Sequence, residues 1–124
     1  MNDNTLLYRQ IRPEHVQNGR VSSLAFMPMP KDEQKLSVYD GDRLSPEEAY
    51  FHFTEELKGS SLGVLAVNVR ECKDEELPVE EDYDTHPYHL LIDFSNKQGN
   101  QIRKAAEHLR DRAVVRDWLY LKIL

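Results

Sequence analysis

One segment restricts the fold of this chain more than any other. Residues 63–69, with the sequence GVLAVNV, are almost entirely apolar and rich in β-branched side chains. An apolar run without polar alternation is typical of a strand that is covered on both faces. The chain has 124 residues, a length that suits one domain with its own core. We therefore expect a single domain, residues 1–124, that contains this strand at its centre.

Further strands are predicted by shorter apolar patterns, at residues 6–11, 21–27, 36–39 and 86–94. In the last of these, Leu90, Ile92 and Phe94 fall on one face, because side chains alternate along a strand. His89 and Asp93 fall on the other face. The segment 118–123 also alternates, which indicates a terminal strand, although the pattern is compatible with a continued helix.

Two main helices complete the pattern. Ser45, Pro46 and Glu48 form a capping-box sequence, with serine before the first turn and glutamate three residues later. Ala49, Phe53 and Leu57 then follow at helical spacing, and Gly59 is expected to supply a left-handed end. A second helix is predicted to begin at Ser95 or Asn96, with its apolar stripe formed by Ile102, Ala105, Ala106, Leu109 and Ala113.

The resulting order is β-β-β-α-β-β-α-β. This order predicts an α+β fold, with a single-layer mixed or antiparallel sheet of about five to six strands and two main helices packed on one face.

The expected cellular compartment follows from three features that are missing from the sequence: a possible disulfide, a signal peptide and a membrane-spanning run. Cys72 is the single cysteine, so no disulfide can form within the chain, and its acidic neighbours disfavour a reactive thiolate. The N-terminus has no basic stretch before an apolar one, and no apolar run approaches the length of a membrane span. We therefore expect a soluble cytoplasmic protein that does not associate with membranes.

Charge is distributed unevenly over the chain. Residues 71–84 hold eight acidic side chains and one lysine, within a chain whose net charge is −6. Because proline interrupts this run, it is interpreted as an acidic loop. Exposed acidic side chains beside aromatic ones favour contact with a protein partner. The predicted contact residues are Glu75, Glu76, Glu80, Glu81, Asp82, Tyr83 and Tyr88. The leading hypothesis is therefore an accessory or neutralising subunit, bacterial in style.

The second helix carries the opposite charge. Its basic residues Arg103, Lys104, Arg110 and Arg112 could meet phosphates. However, Glu107 and Asp111 lie on the same helix at spacings that allow ion pairs with them. No groove-reading motif accompanies them, so nucleic-acid binding is not expected.

The alternative hypothesis is a small nucleotide- or RNA-directed enzyme. No glycine-rich phosphate loop is present, so no resident cofactor is predicted, and no histidine spacing suits a metal. His86 and His89 are expected on opposite faces of their strand, kept apart unless Pro87 bends it. The weak catalytic candidates are Arg9, Ser37, Tyr39, His86 and His89.

An arginine on a first strand with hydroxyl groups on a later one faintly resembles the ADP-ribosyltransferases. Those enzymes use such groups to hold NAD, so the resemblance implies NAD as a ligand for Arg9 together with Ser22, Ser23, Ser37 and Tyr39. The resemblance covers isolated residues in the first forty positions. The glutamate that these enzymes present to the acceptor has no counterpart here, because Glu71 lies past its strand.

Overall fold

The structure is a computed structural model that describes residues 1–122. Six strands form one curled antiparallel sheet in the order β6-β7-β4-β1-β5-β8. These strands are β1 (Leu6–Ile11), β4 (Lys35–Asp40), β5 (Gly63–Asn68), β6 (Val79–Glu81), β7 (His89–Asp93) and β8 (Tyr120–Leu121). A separate hairpin joins β2 (Val16–Gln17) to β3 (Arg20–Val21). The helices are α1 (Pro46–Phe51), α2 (Val69–Asp74) and α3 (Asn100–Arg116). The α+β class and the antiparallel sheet are thus confirmed.

The apolar segment at residues 63–69 becomes β5, which is buried on both faces as predicted. Leu65 and Val67 face α3 and join the larger core, whereas Val64 and Ala66 face α1 and join the smaller one. The prediction that both main helices pack on one face is therefore wrong. Because β5 presents apolar side chains in both directions, each face of the sheet receives its own helix.

The predicted start of α1 is confirmed. The Ser45 hydroxyl accepts a hydrogen bond from the Glu48 amide at 3.1 Å, and the Glu48 carboxylate accepts one from the Ser45 amide at 2.8 Å. The helix then widens into a π-helical segment, His52–Glu56. Its left-handed end is Lys58 rather than Gly59. Glycine is required at 59 for another reason, since a Cβ there would lie 2.3 Å from the Phe53 ring.

Two other predictions need correction. Of the predicted strand 21–27 only Val21 lies in a strand, because Ser22 accepts a bond from the Leu24 amide and so caps a short 3₁₀ helix, Ser23–Phe26, in which Ala25 and Phe26 are buried. The helix α3 begins at Asn100 rather than near residue 95, after Gly99 with a φ of 52°. At the C-terminal end, Tyr120–Leu121 is a strand that pairs with β5, and residue 123 lies outside the described residues.

The acidic segment 71–84 is not a loop throughout. It begins within α2 and contains all of β6, and only residues 75–78 and 82–84 lie outside a helix or strand. Glu71 is buried and accepts a hydrogen bond from Arg116 at 2.9 Å, while Arg112 lies 3.5 Å away. Burial alone raises the pKa of Glu71, but Arg116, the Asn68 amide and Arg112 lower it overall. This glutamate therefore joins α2 to α3.

The neighbouring Cys72 is fully buried in the larger core. Burial, with Glu71 and Glu75 nearby, raises the pKa of its thiol to about 12. The thiol is protonated at physiological pH, which agrees with an unreactive cysteine. Within residues 1–122, no helix has the length and apolar character needed to cross a lipid bilayer.

The capping interaction gives a stability prediction. Replacing Ser45 with alanine should lower the free energy of unfolding by about 0.5–2 kcal/mol, because the Glu48 amide loses its side-chain acceptor. Urea denaturation measures the difference. The matched control is Ser60→Ala, since Ser60 is exposed and lies outside any helix. Equal midpoints for the two variants would contradict a stabilising cap.

Candidate functional site

Strands β1 and β4 separate in the middle of the sheet. They pair only at Leu7 with Asp40 and at Tyr8 with Tyr39. Beyond these pairs β1 continues along β5 as far as Ile11, while β4 continues along β7 as far as Lys35. A wedge therefore opens between two central strands. Backbone groups on its sides need other partners, because unpaired buried polar groups are costly.

Arg9 spans this wedge. Its Nε donates to the Ala25 carbonyl at 2.7 Å, and its Nη1 donates to the Ser37 carbonyl at 3.0 Å. Burial, together with the nearby Arg12, lowers the pKa of Arg9 to about 10, so the side chain remains a cation at physiological pH. Arg9 forms no ion pair with any carboxylate of residues 1–122.

A cleft of about 550 Å³ lies over the wedge. It is bounded by β1, β4, the segment that joins β3 to β4, and the end of the π-helical segment. Arginine and lysine outnumber acids on its walls. The cations are Arg9, Arg12, Lys31 and Lys35, and the acids are Glu14 and Asp32. Apolar side chains complete the lining, among them Leu24, Met27 and Phe53.

All five catalytic candidates predicted from the sequence line this cleft: Arg9, Ser37, Tyr39, His86 and His89. His86 and His89 were expected to lie apart unless Pro87 bends the strand; the chain turns at Pro87, and the ring centroids of the two histidines lie 4.9 Å from each other. His86 precedes β7 and belongs to a turn, in which the His89 amide donates to the His86 carbonyl at 3.1 Å. Strand alternation therefore does not apply between them.

His52 extends this group, and sequence reasoning did not single it out. The Tyr39 hydroxyl lies 2.7 Å from Nδ1 of His52, and the ring centroids of His52 and His86 are 4.7 Å apart. Tyr88 packs edge-on against His52. Helical spacing could have indicated His52, because it lies three residues after the buried Ala49 and therefore on the inner side of its helix.

Two histidines of the cleft are held neutral. Burial, followed by the charges of His89 and His52, lowers the pKa of His86 to about 4. Burial, followed by the charge of Arg9, lowers the pKa of His15 to about 4. Hydrogen bonds agree, because Nδ1 of each ring accepts from a backbone amide, that of Tyr88 for His86 and that of Arg12 for His15.

Beside these rings lies a chain of three polar side chains. Nε2 of His89 is 3.0 Å from the Ser37 hydroxyl oxygen, and Nδ1 of His89 is 2.9 Å from an Asp82 carboxylate oxygen. Ser37 is exposed, whereas His89 is 9% exposed. The Thr85 hydroxyl donates to the same Asp82 oxygen at 2.6 Å. That bond, and the one from His89, lower the pKa of Asp82 despite partial burial.

Most of the predicted partner-binding residues have partners within the chain. Glu75 lies 2.7 Å from His108, and Glu80 pairs with Lys35 at 2.8 Å. Asp82 belongs to the chain just described. The remaining four residues are two partly buried tyrosines and two exposed glutamates. Tyr83 donates to Asp40 under the Arg43 guanidinium and Tyr88 joins the aromatic group, while Glu76 and Glu81 are exposed.

The basic face of α3 is also largely occupied. Arg103 lies 3.8 Å from Glu107, and Arg110 pairs with Asp111 at 2.6 Å. Arg112 reaches Glu71 and Asp74 on α2, and Lys104 is exposed. In the part of the chain that the structure describes, no group of three or more His, Cys, Asp or Glu side chains is arranged to hold a metal ion.

The neutral histidines give a pH prediction. A folded-state pKa of about 4 lies below the ordinary value of 6.5 for both His15 and His86. Between pH 6.5 and about 4, the unfolded chain therefore binds protons at His15 and His86 that the folded chain does not bind. Stability should be greatest above about pH 6.5 and should fall as the pH drops from there towards 4.

Two measurements check this expectation. Imidazole NMR signals of His15 and His86 should titrate near pH 4. The double variant His15→Gln, His86→Gln should lose less stability in urea between pH 6.5 and 4 than the parent protein does. Titration of both rings near their ordinary pKa would contradict the burial of their charged forms.

Comparison with known proteins gives no relative for this site. No protein-family model matches the chain, and no curated protein or solved structure matches it. Function must therefore be argued from the geometry of the cleft.

Proposed function

We propose that this protein is a small enzyme that binds a phosphate-bearing substrate of nucleotide size in the cleft over the wedge. The observation that carries the proposal is the Arg9 guanidinium. It lies on the cleft wall, is partly buried, and is bonded to two carbonyl groups without an ion pair in residues 1–122. Cations removed from water are normally paired with an anion, so a ligand anion is the natural partner.

The fork of the guanidinium suits this role. Arginine carries more N–H donors than the two that meet the carbonyls of Ala25 and Ser37. Those two bonds fix the plane of the group, so the remaining donors are held in place before a ligand arrives. Fixed, charged donors of this kind match the oxygens of a phosphate.

The electrostatics of the cleft support the same ligand class. The whole chain has a net charge of −6, yet Arg9, Arg12 and Lys31 line the cleft against two acids, while a fourth cation, Lys35, pairs with Glu80. A concave surface concentrates the field of its own charges, so it attracts anions although the protein as a whole repels them. Its volume of about 550 Å³ lies within the usual range for small-molecule sites.

The apolar lining and the titratable groups suit the rest of a nucleotide. Leu24, Met27 and Phe53 offer a surface for a base or another flat ring. His89 lies 3.0 Å from the Ser37 hydroxyl and 2.9 Å from the Asp82 carboxylate, so its ring is placed to accept a proton, which a general base must do. Proximity of such groups to a bound phosphate ester supports catalysis rather than storage.

NAD is the first ligand to test, because of the resemblance to ADP-ribosyltransferases. Its two elements, Arg9 and the hydroxyl-bearing β4, are adjacent, since Nη1 of Arg9 bonds the Ser37 carbonyl. Glu71 does not complete the resemblance: it pairs with Arg116 on the α3 side of the molecule. The likeness thus supports ligand binding and gives no acceptor-activating glutamate.

Calorimetry tests the proposal. NAD, AMP or inorganic phosphate should release or absorb heat on binding, and Arg9→Met should weaken the affinity by about 10- to 100-fold, because charge-assisted hydrogen bonds are lost. Methionine keeps the apolar stem of the side chain. The matched control Arg20→Met removes an exposed arginine from β3 and should leave the affinity unchanged.

Circular dichroism would establish that both variants are folded. Absence of heat with all three ligands at millimolar concentration would overturn the anion site. Equal losses in the Arg9 and Arg20 variants would show that the effect comes from net charge instead.

A second candidate function is contact with a protein partner through the acidic segment. Glu76 and Glu81 support it, because they remain exposed while their neighbours pair internally. As an accessory or neutralising subunit, the protein would present these carboxylates to a basic surface. Complementary charge raises association rates and selects partners.

Association kinetics test this candidate. With a partner captured from the native host, Glu76→Gln, Glu81→Gln should associate several-fold more slowly at low salt, and the difference should vanish at high salt. The reason is that exposed charges are screened beyond about 8–10 Å at physiological ionic strength. Glu55→Gln is the control, an exposed glutamate outside the acidic segment. Equal rates at low salt would remove the support for this surface.

A further inference from the structure

We propose that Ser37 is a covalent nucleophile, that His89 activates it and that Asp82 orients His89. In this proposal the protein hydrolyses esters that carry an anionic group. The nucleophile is inferred from the three side chains alone. The choice of an anionic substrate rests on the function proposed above, because that choice depends on Arg9.

The distances from Ser37 to His89 and from His89 to Asp82 match those from a nucleophile to its general base and from that base to the group that orients it. The oxygen of Ser37 lies 3.0 Å from Nε2 of His89, and Nδ1 of His89 lies 2.9 Å from Asp82. Both values fall within the hydrogen-bonding range that links a nucleophile to its base and a base to its orienting group. Ser37 is thus joined to His89, 52 positions away, and through it to Asp82.

The direction of each hydrogen bond follows from the ionisation of Asp82. Its pKa is lowered, first by the Thr85 hydroxyl and also by His89, so it is a carboxylate that can only accept. Nδ1 of His89 must therefore carry the hydrogen. In the neutral ring Nε2 then has the lone pair, and the Ser37 hydroxyl donates to it. This is the arrangement in which an imidazole can remove the serine proton.

Strand pairing holds the three groups in place. Tyr39 is opposite His89 in the β4–β7 ladder, so Ser37 is the diagonal neighbour of His89 on the same face. Asp82 follows β6, and its amide donates to the His89 carbonyl at 3.0 Å. The base is buried while the serine is exposed to the cleft. An exposed serine could be satisfied by water alone, so this connection to a buried histidine points to reactivity.

The reaction balances without a metal or redox partner. The Ser37 oxygen attacks the ester carbonyl carbon as its proton passes to Nε2 of His89. The bond from that carbon to the alcohol oxygen then breaks, and Nε2 returns the proton to the departing alcohol. Water attacks the acyl-Ser37 ester in the second half, giving its proton to Nε2 and then to the Ser37 oxygen. The products are a carboxylic acid and an alcohol.

The substrate class follows from the neighbour of the nucleophile. Nη1 of Arg9 is bonded to the carbonyl of Ser37 itself, at 3.0 Å. An anion held on the remaining donors of Arg9 therefore lies close to the attacking oxygen. We expect esters that carry a phosphate or carboxylate a few bonds away from the ester carbonyl.

An uncharged fluorophosphonate probe tests the nucleophile without knowledge of the substrate. Intact-mass measurement should show one adduct on the wild-type protein, and peptide mapping should place it on Ser37. Ser37→Ala should show none. Asp82→Asn should label at least about 100-fold more slowly, because asparagine can hold His89 in the wrong tautomer. His89→Gln keeps a polar side chain but no base, and should label as slowly.

Ser60→Ala, an exposed serine away from the cleft, should label like the wild type. The proposal is overturned if folded wild-type protein shows no adduct at Ser37, or if Ser37 labels equally fast in the Asp82 and His89 variants. Because the probe is uncharged, labelling does not depend on anion binding. An adduct without nucleotide heat would overturn the anion site alone, and heat without an adduct would overturn the nucleophile alone.

Discussion

The gap between β1 and β4, bridged by Arg9, is the feature on which the rest of the structure depends. Two central strands of an antiparallel sheet ordinarily pair along their length, but these pair only at two positions. The guanidinium bonds the Ser37 carbonyl of β4 and the Ala25 carbonyl of the 3₁₀ helix Ser23–Phe26, so it links β1 to both. A cation thus stabilises the middle of the sheet. The same side chain lines the cleft beside the gap, so the proposed ligand binding would depend on a group that also holds the fold together.

Part of the acidic segment 71–84 is paired within the fold. Glu71 joins α2 to α3 through Arg116 and Arg112, and Glu75 contacts His108 on the same helix. The acidic run and the basic helix, which looked like two separate surfaces in the sequence, are therefore partners of each other. In the cleft, by contrast, Arg9 forms no ion pair with any carboxylate of residues 1–122.

The cleft combines two capabilities in a small space. Arg9 offers a fixed cation, and the line of Ser37, His89 and Asp82 offers a path for a proton. His86 lies beside His89, and because burial keeps His86 neutral, its ring adds no positive charge there. A substrate with an anionic end and an electrophilic centre fits this combination.

Elements with local signals could be predicted from the amino-acid sequence. The apolar run of β5, the Ser45 capping box and the alternation of Leu90 and Ile92 each depend on neighbouring residues, and the structure confirms them. Contacts between distant groups could not be predicted in this way. Ser37 and His89 are separated by 52 positions, and the register of β4 against β7 makes them neighbours. The sequence indicates only that Arg9 belongs to a strand, because no local pattern shows that β1 and β4 separate beside it. The physical reason is that local patterns fix backbone hydrogen bonding, whereas side-chain partners depend on strand order and register, which no short segment encodes.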